Sequence, residues 1–213
     1  MLKLYGAPLS NYYNMVKVSL LEKRLPFEEV MQGGSQEESY LAKSPMGKIP
    51  VLATEHGFIS ETHVILDYLE DAFPTPTPAC LPADPYARAK VRELTQAIQL
   101  YIELVARRGF GVLFKRPVAD DVKAAIKTDM SKNIAAVKRL LRFSPWAAGN
   151  DMTYADFVLY YTLALAGEAT KANTGVDLVS ELGAQEWHVR MAARDSVRQS
   201  DAASSAYRKS LGL

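Results

Sequence analysis

Phe73-Pro74-Thr75-Pro76-Thr77-Pro78-Ala79-Cys80-Leu81-Pro82 divides this chain of 213 residues into two halves of different texture. Its four prolines cannot continue a helix, since each lacks the backbone N–H that a helix interior needs, and the run reads as a semi-rigid linker. Before it, short strand patterns alternate with helical ones. Leu2-Lys3-Leu4-Tyr5 alternates like a strand, and Pro26 to Val30 forms a second. Ile49, Val51 and Ala53 share one face of a third, and Phe58-Ile59 follow the turn at Glu55-His56-Gly57 as a fourth. Helices are expected over Asn11 to Lys23 and over Ser60 to Phe73, where Ile65, Leu69 and Phe73 make one stripe. After the linker only helical spacing remains. Asp84-Pro85 is a cap followed by proline at the first helical position, and Val91, Leu94, Ile98, Tyr101 and Val105 repeat at threes and fours. A further helix follows Asp120-Asp121 and buries Ile126, Met130, Ile134, Val137 and Leu141. The expected architecture is an α/β domain over residues 1–76, a linker over 77–84 and an all-α helical bundle over 85–213.

Bulk properties narrow the partners. Lys and Arg total 25 against 24 Asp and Glu, with no long run of like charge, which speaks against a protein that tracks a phosphate backbone. The N-terminus has no charged segment leading into a long apolar one, and no stretch approaches the ~18–20 apolar residues that span a bilayer. Cys80 is the single cysteine, and His56, His63 and His188 lack metal-ligand spacing. The expectation is a cytoplasmic protein with no nucleic-acid partner, no membrane and no metal.

Thr153-Tyr154-Ala155-Asp156 has the spacing of a capping box with Asp in the place of Glu. Three features of the first half carry more chemistry. Pro8-Leu9-Ser10 precedes the first helix, so Ser10 is either a plain cap or a hydroxyl donor at a helix terminus that attracts anions. Pro50 enters a strand, where it removes a ladder donor; it is either an edge proline or a cis residue that turns the Ile49 amide and carbonyl outward for an extended peptide. Ser60-Glu61-Thr62 is either an ordinary helix start or a set of amides, hydroxyl and carboxylate suited to an amino-acid head group.

Read in order, these residues resemble the glutathione transferase family. Gly47-Lys48-Ile49-Pro50-Val51-Leu52 is similar to the family's cis-proline segment, and Glu61-Thr62-His63-Val64-Ile65-Leu66-Asp67-Tyr68-Leu69 to its Glu-Ser-x-Ala-Ile-x-x-Tyr-Leu signature. The opening Pro8-Leu9-Ser10, the linker and the capping box extend the likeness over nearly the whole chain, in the manner of serine-type theta- and zeta-like members. The resemblance implies a thioredoxin-like first domain with glutathione bound to it. Ser10 would donate to the sulfur, Ile49 would pair with the cysteinyl unit, and Pro50 would hold that geometry. Glu61 and Thr62 would grip the γ-glutamyl end, and Lys48 the glycyl carboxylate. His63 falls at a variable position and reads as surface.

The chain departs from the pattern at Met15, where serine-type members often carry Arg or Lys; Tyr12, Tyr13 and Asn14 are therefore alternative sulfur contacts. Tyr101, Arg108, Phe110 and Phe114 are the candidates for the second-substrate pocket. The implied activity is conjugation of glutathione to small hydrophobic electrophiles by a homodimeric enzyme. The competing readings are a glutathione-dependent isomerase, a disulfide or peroxide reductase, and a non-enzymatic interaction protein of the same fold.

Overall fold

The strand Leu2–Gly6 (β1) alternates fully buried with half-buried positions, so one face of it is committed to a core from the outset. The computed structural model describes residues 1–74 and 78–212; the expected boundary at 76/77 falls outside the described residues. Asn11–Glu22 (α1) follows β1, then Phe27–Met31 (β2), the single turn Glu38–Leu41 (α2), Val51–Thr54 (β3), Gly57–Ser60 (β4) and Thr62–Ala72 (α3). The sheet order is β2-β1-β3-β4, with β1 parallel to β2 and antiparallel to β3, and β3 antiparallel to β4. Leu2 and Leu4 of β1, Leu52 of β3, Tyr13, Val16 and Leu20 of α1, and Ile65 and Leu69 of α3 form one core. A fully buried leucine of this kind is worth about 1.5–3 kcal/mol relative to an exposed one.

Two compact units emerge. One holds Met1–Cys80 together with Arg194–Leu213, the other Leu81–Ala193. The helical stretch expected over 85–213 is thus divided between them. The helix Asp195–Ser210 (α11) belongs with the sheet and packs on α1. Arg194 makes a two-pronged ion pair to Glu22 at 2.7 and 2.6 Å, and the Ser196 hydroxyl donates to the same carboxylate. Burial would raise the Glu22 carboxyl, but the hydrogen bonds from Arg194 and Ser196 and the charges of Arg194 and Arg24 bring it below its ordinary 4.5. A carboxyl held low in the folded state adds stability that is present above its unfolded value and lost as pH falls through the folded one. Glu22→Gln should therefore flatten the decline of Tm between about pH 5 and 3. A decline as steep as in the parent would contradict this assignment.

The second unit comprises Pro85–Ala97 (α4), Leu104–Arg107 (α5), Asp120–Leu140 (α6), Tyr154–Thr162 (α7), Glu168–Thr174 (α8), Leu178–Leu182 (α9) and Gln185–Ala192 (α10). Among its described residues the strand-like pairing is a single bridge, Trp146 to Gly149. Asp84 caps α4 by accepting from the Ala87 amide at 2.7 Å, with Pro85 at the first helical position. On α6 the predicted Ile126, Met130, Ile134 and Val137 are all buried, as is Leu141 just past its end. The regular spacing fails just beyond α4, however. From Ile98 to Glu103 the helix widens to π register, so that the Leu104 amide bonds the Gln99 carbonyl five residues back. The extra residue per turn slips the inward face by one position: Ile102 and Ala106 are buried, while Tyr101 is 49% exposed and its carbonyl accepts from the Asn133 side chain at 2.8 Å. The expected inward Tyr101 and Val105 are displaced for that reason.

The capping box at α7 is present. Asp156 accepts from the Thr153 amide at 2.9 Å, and Thr153 Oγ1 accepts from the Ala155 amide at 3.3 Å. Asp156 also accepts from the Ala147 amide at 2.8 Å and from Trp187 Nε1 at 2.7 Å, so one fully buried carboxylate joins the loop before α7 to α10. No helix among the described residues is long and apolar enough to cross a membrane.

Candidate functional site

The register of the sheet decides which loops meet. Tyr5 on β1 lies opposite Val51 on β3, and Val51 lies opposite Ser60 on β4. The C-terminal end of β1, the N-terminal end of β3 and the C-terminal end of β4 therefore coincide. Three loops leave the sheet at that one end: residues 7–10 leading into α1, residues 47–50 leading into β3, and Ser60-Glu61 leading into α3. The residues singled out from sequence as one ligand's contacts lie in, or directly beside, these loops.

Ser10 is the N-cap of α1, with φ −80° and ψ 118°. Its amide donates to the Ala7 carbonyl at 2.9 Å, and its Oγ accepts from the Tyr13 amide at 3.3 Å. Because Oγ acts as acceptor there, the hydroxyl proton remains to be donated outward. The first turn of any helix also presents amides without intrahelical acceptors and about half a positive charge. The geometry thus suits an anion beside Ser10.

The neighbours of Ser10 are turned to other tasks. Asn14 is buried and its side-chain Nδ2 donates to the Pro8 carbonyl at 2.8 Å, tying the loop down. Tyr13 is 2% exposed, and its hydroxyl donates to Glu29 Oε2 on β2 at 2.5 Å. Burial, followed by the hydrogen bond and charge of Glu29, pushes the Tyr13 phenol far above its ordinary value. Lys17 Nζ meets the same Glu29 oxygen at 2.8 Å. Tyr12 is half-buried on α1.

Gly47 has φ +64°, and a Cβ there would stand 2.2 Å from the Ser35 carbonyl oxygen, so glycine is required for the turn. The Lys48 amide donates to Ser44 Oγ at 3.0 Å and its carbonyl accepts from the Tyr40 hydroxyl at 3.1 Å, which leaves the Lys48 side chain exposed. The Ile49–Pro50 bond is cis. At the third loop Glu61 adopts φ 72°, ψ 114° without a side-chain capping bond. A non-glycine residue held at positive φ is disfavoured by about 1–3 kcal/mol, and such strain clusters at ligand sites. Thr62, buried, opens the 11-residue α3. His63, expected at the surface, is half-buried; desolvation pushes its imidazole down to about 4 against the opposing pull of Asp67, so it is neutral at pH 7.

Cys80 supplies no nucleophile of its own. It is buried, and burial together with the Glu70 charge pushes its thiol up to about 12. Its amide donates to Glu70, whose carboxylate pairs with the buried Lys23 at 3.0 Å.

The candidates for a second substrate lie in the helical unit. Tyr101 stands exposed on the π segment. Arg108 is paired with Asp129 at 2.6 Å, so its charge is already matched. Phe110 and Phe114 bound the short 3₁₀ turn Phe110–Phe114, with Phe114 exposed. Arg107 rather than Arg108 meets the aromatic: its guanidinium stands 4.8 Å from the Phe110 ring centre while Nε faces the fully buried Glu103 at 2.7 Å. The four-residue spacing of Glu103 and Arg107 was the sequence signal for that pair.

Residues 4–77 match the family profile of the glutathione S-transferase N-terminal domain, and residues 110–199 that of its C-terminal domain. A glutathione S-transferase of Pseudomonas putida is 47% identical over 85% of this chain and 82% of its own length. A maleylacetoacetate isomerase of Pseudomonas aeruginosa is 27% identical over 86% of this chain and 91% of its own. Among solved structures, a glutathione S-transferase from Rhodospirillum rubrum F11 superposes with a TM-score of 0.73 at 28% identity, covering 94% of this chain and 91% of that one.

Proposed function

Since the chain belongs to the glutathione S-transferase family, we propose that it binds glutathione along the three-loop end of the sheet and ionises its thiol beside Ser10 for attack on a small hydrophobic electrophile. The observation that carries this reading is the register Tyr5–Val51–Ser60, which brings the Ser10 loop, Ile49-Pro50 and Glu61-Thr62 to one end of the sheet. The Ile49 backbone pairs with the cysteinyl unit. The Glu61 carboxylate takes the γ-glutamyl ammonium, the Thr62 hydroxyl and the start of α3 take its carboxylate, and Lys48 takes the glycyl carboxylate.

A free cysteine thiol has a pKa of about 8.5, so only a few per cent is ionised at pH 7. One donated hydrogen bond and a helix terminus can lower that value by one to several units. The thiol proton leaves to solvent, and the thiolate, held by the Ser10 hydroxyl, forms a carbon–sulfur bond as a leaving group departs from the electrophile. The exposed Tyr101 and Phe114, with Phe110 and Arg108, offer the surface for the second substrate. The enzyme acts in the cytoplasm as a two-fold dimer.

Calorimetry should give glutathione binding with Kd below about 1 mM, the usual range for an enzyme's substrate. Turnover should be fastest with a halogenated aromatic when that compound, a maleyl acid and a mixed disulfide are compared side by side. Absence of binding at millimolar glutathione overturns the reading. Faster turnover of the maleyl acid favours the isomerase alternative, which the Pseudomonas aeruginosa relative keeps open; a dominant disulfide activity favours the reductase.

A further inference from the structure

Tyr13 sits three residues after Ser10, close enough in sequence to be a second donor to the sulfur, yet its hydroxyl is used elsewhere. A phenol carries one proton, and this one goes to Glu29 Oε2 at 2.5 Å. The ring itself is clamped. A Cβ added to Gly6 at the end of β1 would lie 2.2 Å from Tyr13 Cδ2, so the ring fills the space that any other residue at position 6 would need. Lys17, one helical turn further on the same face of α1, reaches the same Glu29 oxygen at 2.8 Å with its side chain 3% exposed. The Tyr13 amide in turn donates to Ser10 Oγ at 3.3 Å. One chain of contacts therefore runs from β2 through the phenol, the ring and the backbone of Tyr13 to the Ser10 oxygen.

We propose that Tyr13 is a positioning residue that acts on the bound sulfur only through Ser10, with Glu29 and Lys17 as its anchor. This rests on the reading of Ser10 as the thiolate donor. The hydrogen bond donated by the Tyr13 amide occupies one lone pair of Ser10 Oγ and so turns the hydroxyl proton away from the helix. The Glu29 contact keeps the first turn of α1 from loosening and letting that proton wander. The carboxylate's own state agrees: burial would raise Glu29, but hydrogen bonds from Lys17 and Tyr13 and the Lys17 charge hold it below its ordinary value, ionised at neutral pH.

The test is a double-mutant cycle read by the ultraviolet absorbance of bound glutathione thiolate as a function of pH. Tyr13→Phe keeps the ring against Gly6 and leaves the Lys17–Glu29 pair in place. It should raise the ionisation midpoint and leave about threefold to tenfold less thiolate at pH 7, the range expected for a loosened hydrogen bond. In a Ser10→Ala background the same substitution should change nothing further. A parental titration in Tyr13→Phe overturns the proposal, and so does a shift that survives in full in the Ser10→Ala background, which would place the phenol on the sulfur itself. If Tyr13→Phe fails to fold, the double variant Glu29→Gln, Lys17→Met removes the anchor's opposite charges together. Its midpoint should rise; an unchanged or lowered one overturns the proposal. A parental titration in Ser10→Ala alone overturns the Ser10 reading along with this one, whereas the Tyr13 outcomes leave that reading intact.

Discussion

Ser10→Ala raises the pH midpoint of conjugation by about one to two units and lowers the rate at pH 7 by about 10- to 100-fold, with glutathione affinity kept within about twofold. The magnitude follows from what is removed. A hydrogen bond to a charged acceptor contributes about 1.5–3 kcal/mol, and each pKa unit corresponds to about 1.36 kcal/mol. The binding contacts at Ile49, Glu61, Thr62 and Lys48 are untouched, as is the dipole of α1, so the ligand should bind in its neutral form and ionise later. The same substitution removes the N-cap of α1, which costs about 0.5–2 kcal/mol of stability, so the rate is to be read per folded molecule. Ser10→Thr, which keeps both the cap oxygen and the donor, should restore most of the parental profile. A parental midpoint in Ser10→Ala would move the sulfur contact to Tyr12, Tyr13 or Asn14.

Asp156→Ala is the largest expected effect on stability. The carboxylate is fully buried and accepts from two backbone amides and the Trp187 indole. Alanine leaves all three donors buried without an acceptor, at about 1–3 kcal/mol for each that water cannot reach, besides the lost cap. A total of about 3–5 kcal/mol is reasonable for a network of this kind, and in a chain of this length it lowers Tm by about 10 °C or more. Turnover per folded molecule should stay within about twofold, because Asp156 and its hydrogen-bond partners Ala147, Thr153 and Trp187 all belong to the helical unit. A Tm within a degree or two of the parent would contradict this assignment.

How far the sequence could be read depended on the range of each interaction. The capping box at Thr153–Asp156 was legible because both partners lie within one turn. The buried face of α6 was legible because an unbroken α-helix keeps its phase over four apolar positions, Ile126, Met130, Ile134 and Val137. Beyond α4 the same reasoning misplaced Tyr101, since the π segment inserts a phase shift that nothing in the apolar spacing announces. The three loops could be nominated from Pro8-Leu9-Ser10, Gly47 to Leu52 and Ser60-Glu61-Thr62. That they share one end of the sheet follows from strand pairing, which only the fold supplies. The Glu29–Tyr13–Lys17 cluster was hidden for a related reason: it needs the offset between α1 and the neighbouring β2. Arg194 and Glu22 stand 172 residues apart, beyond the reach of any local pattern.

Because β1 and α11 fall in the same unit, residues 81–193 enter that unit as an insertion between its two pieces. A chain held by handles at β1 and α11 in an optical trap would load those two elements first, tearing the Arg194–Glu22 clasp and peeling the sheet. The inserted helices would carry no tension until their host had come apart. Mechanical rupture should then come in two steps of fixed order, the first releasing the length of the sheet-bearing unit and the second that of residues 81–193.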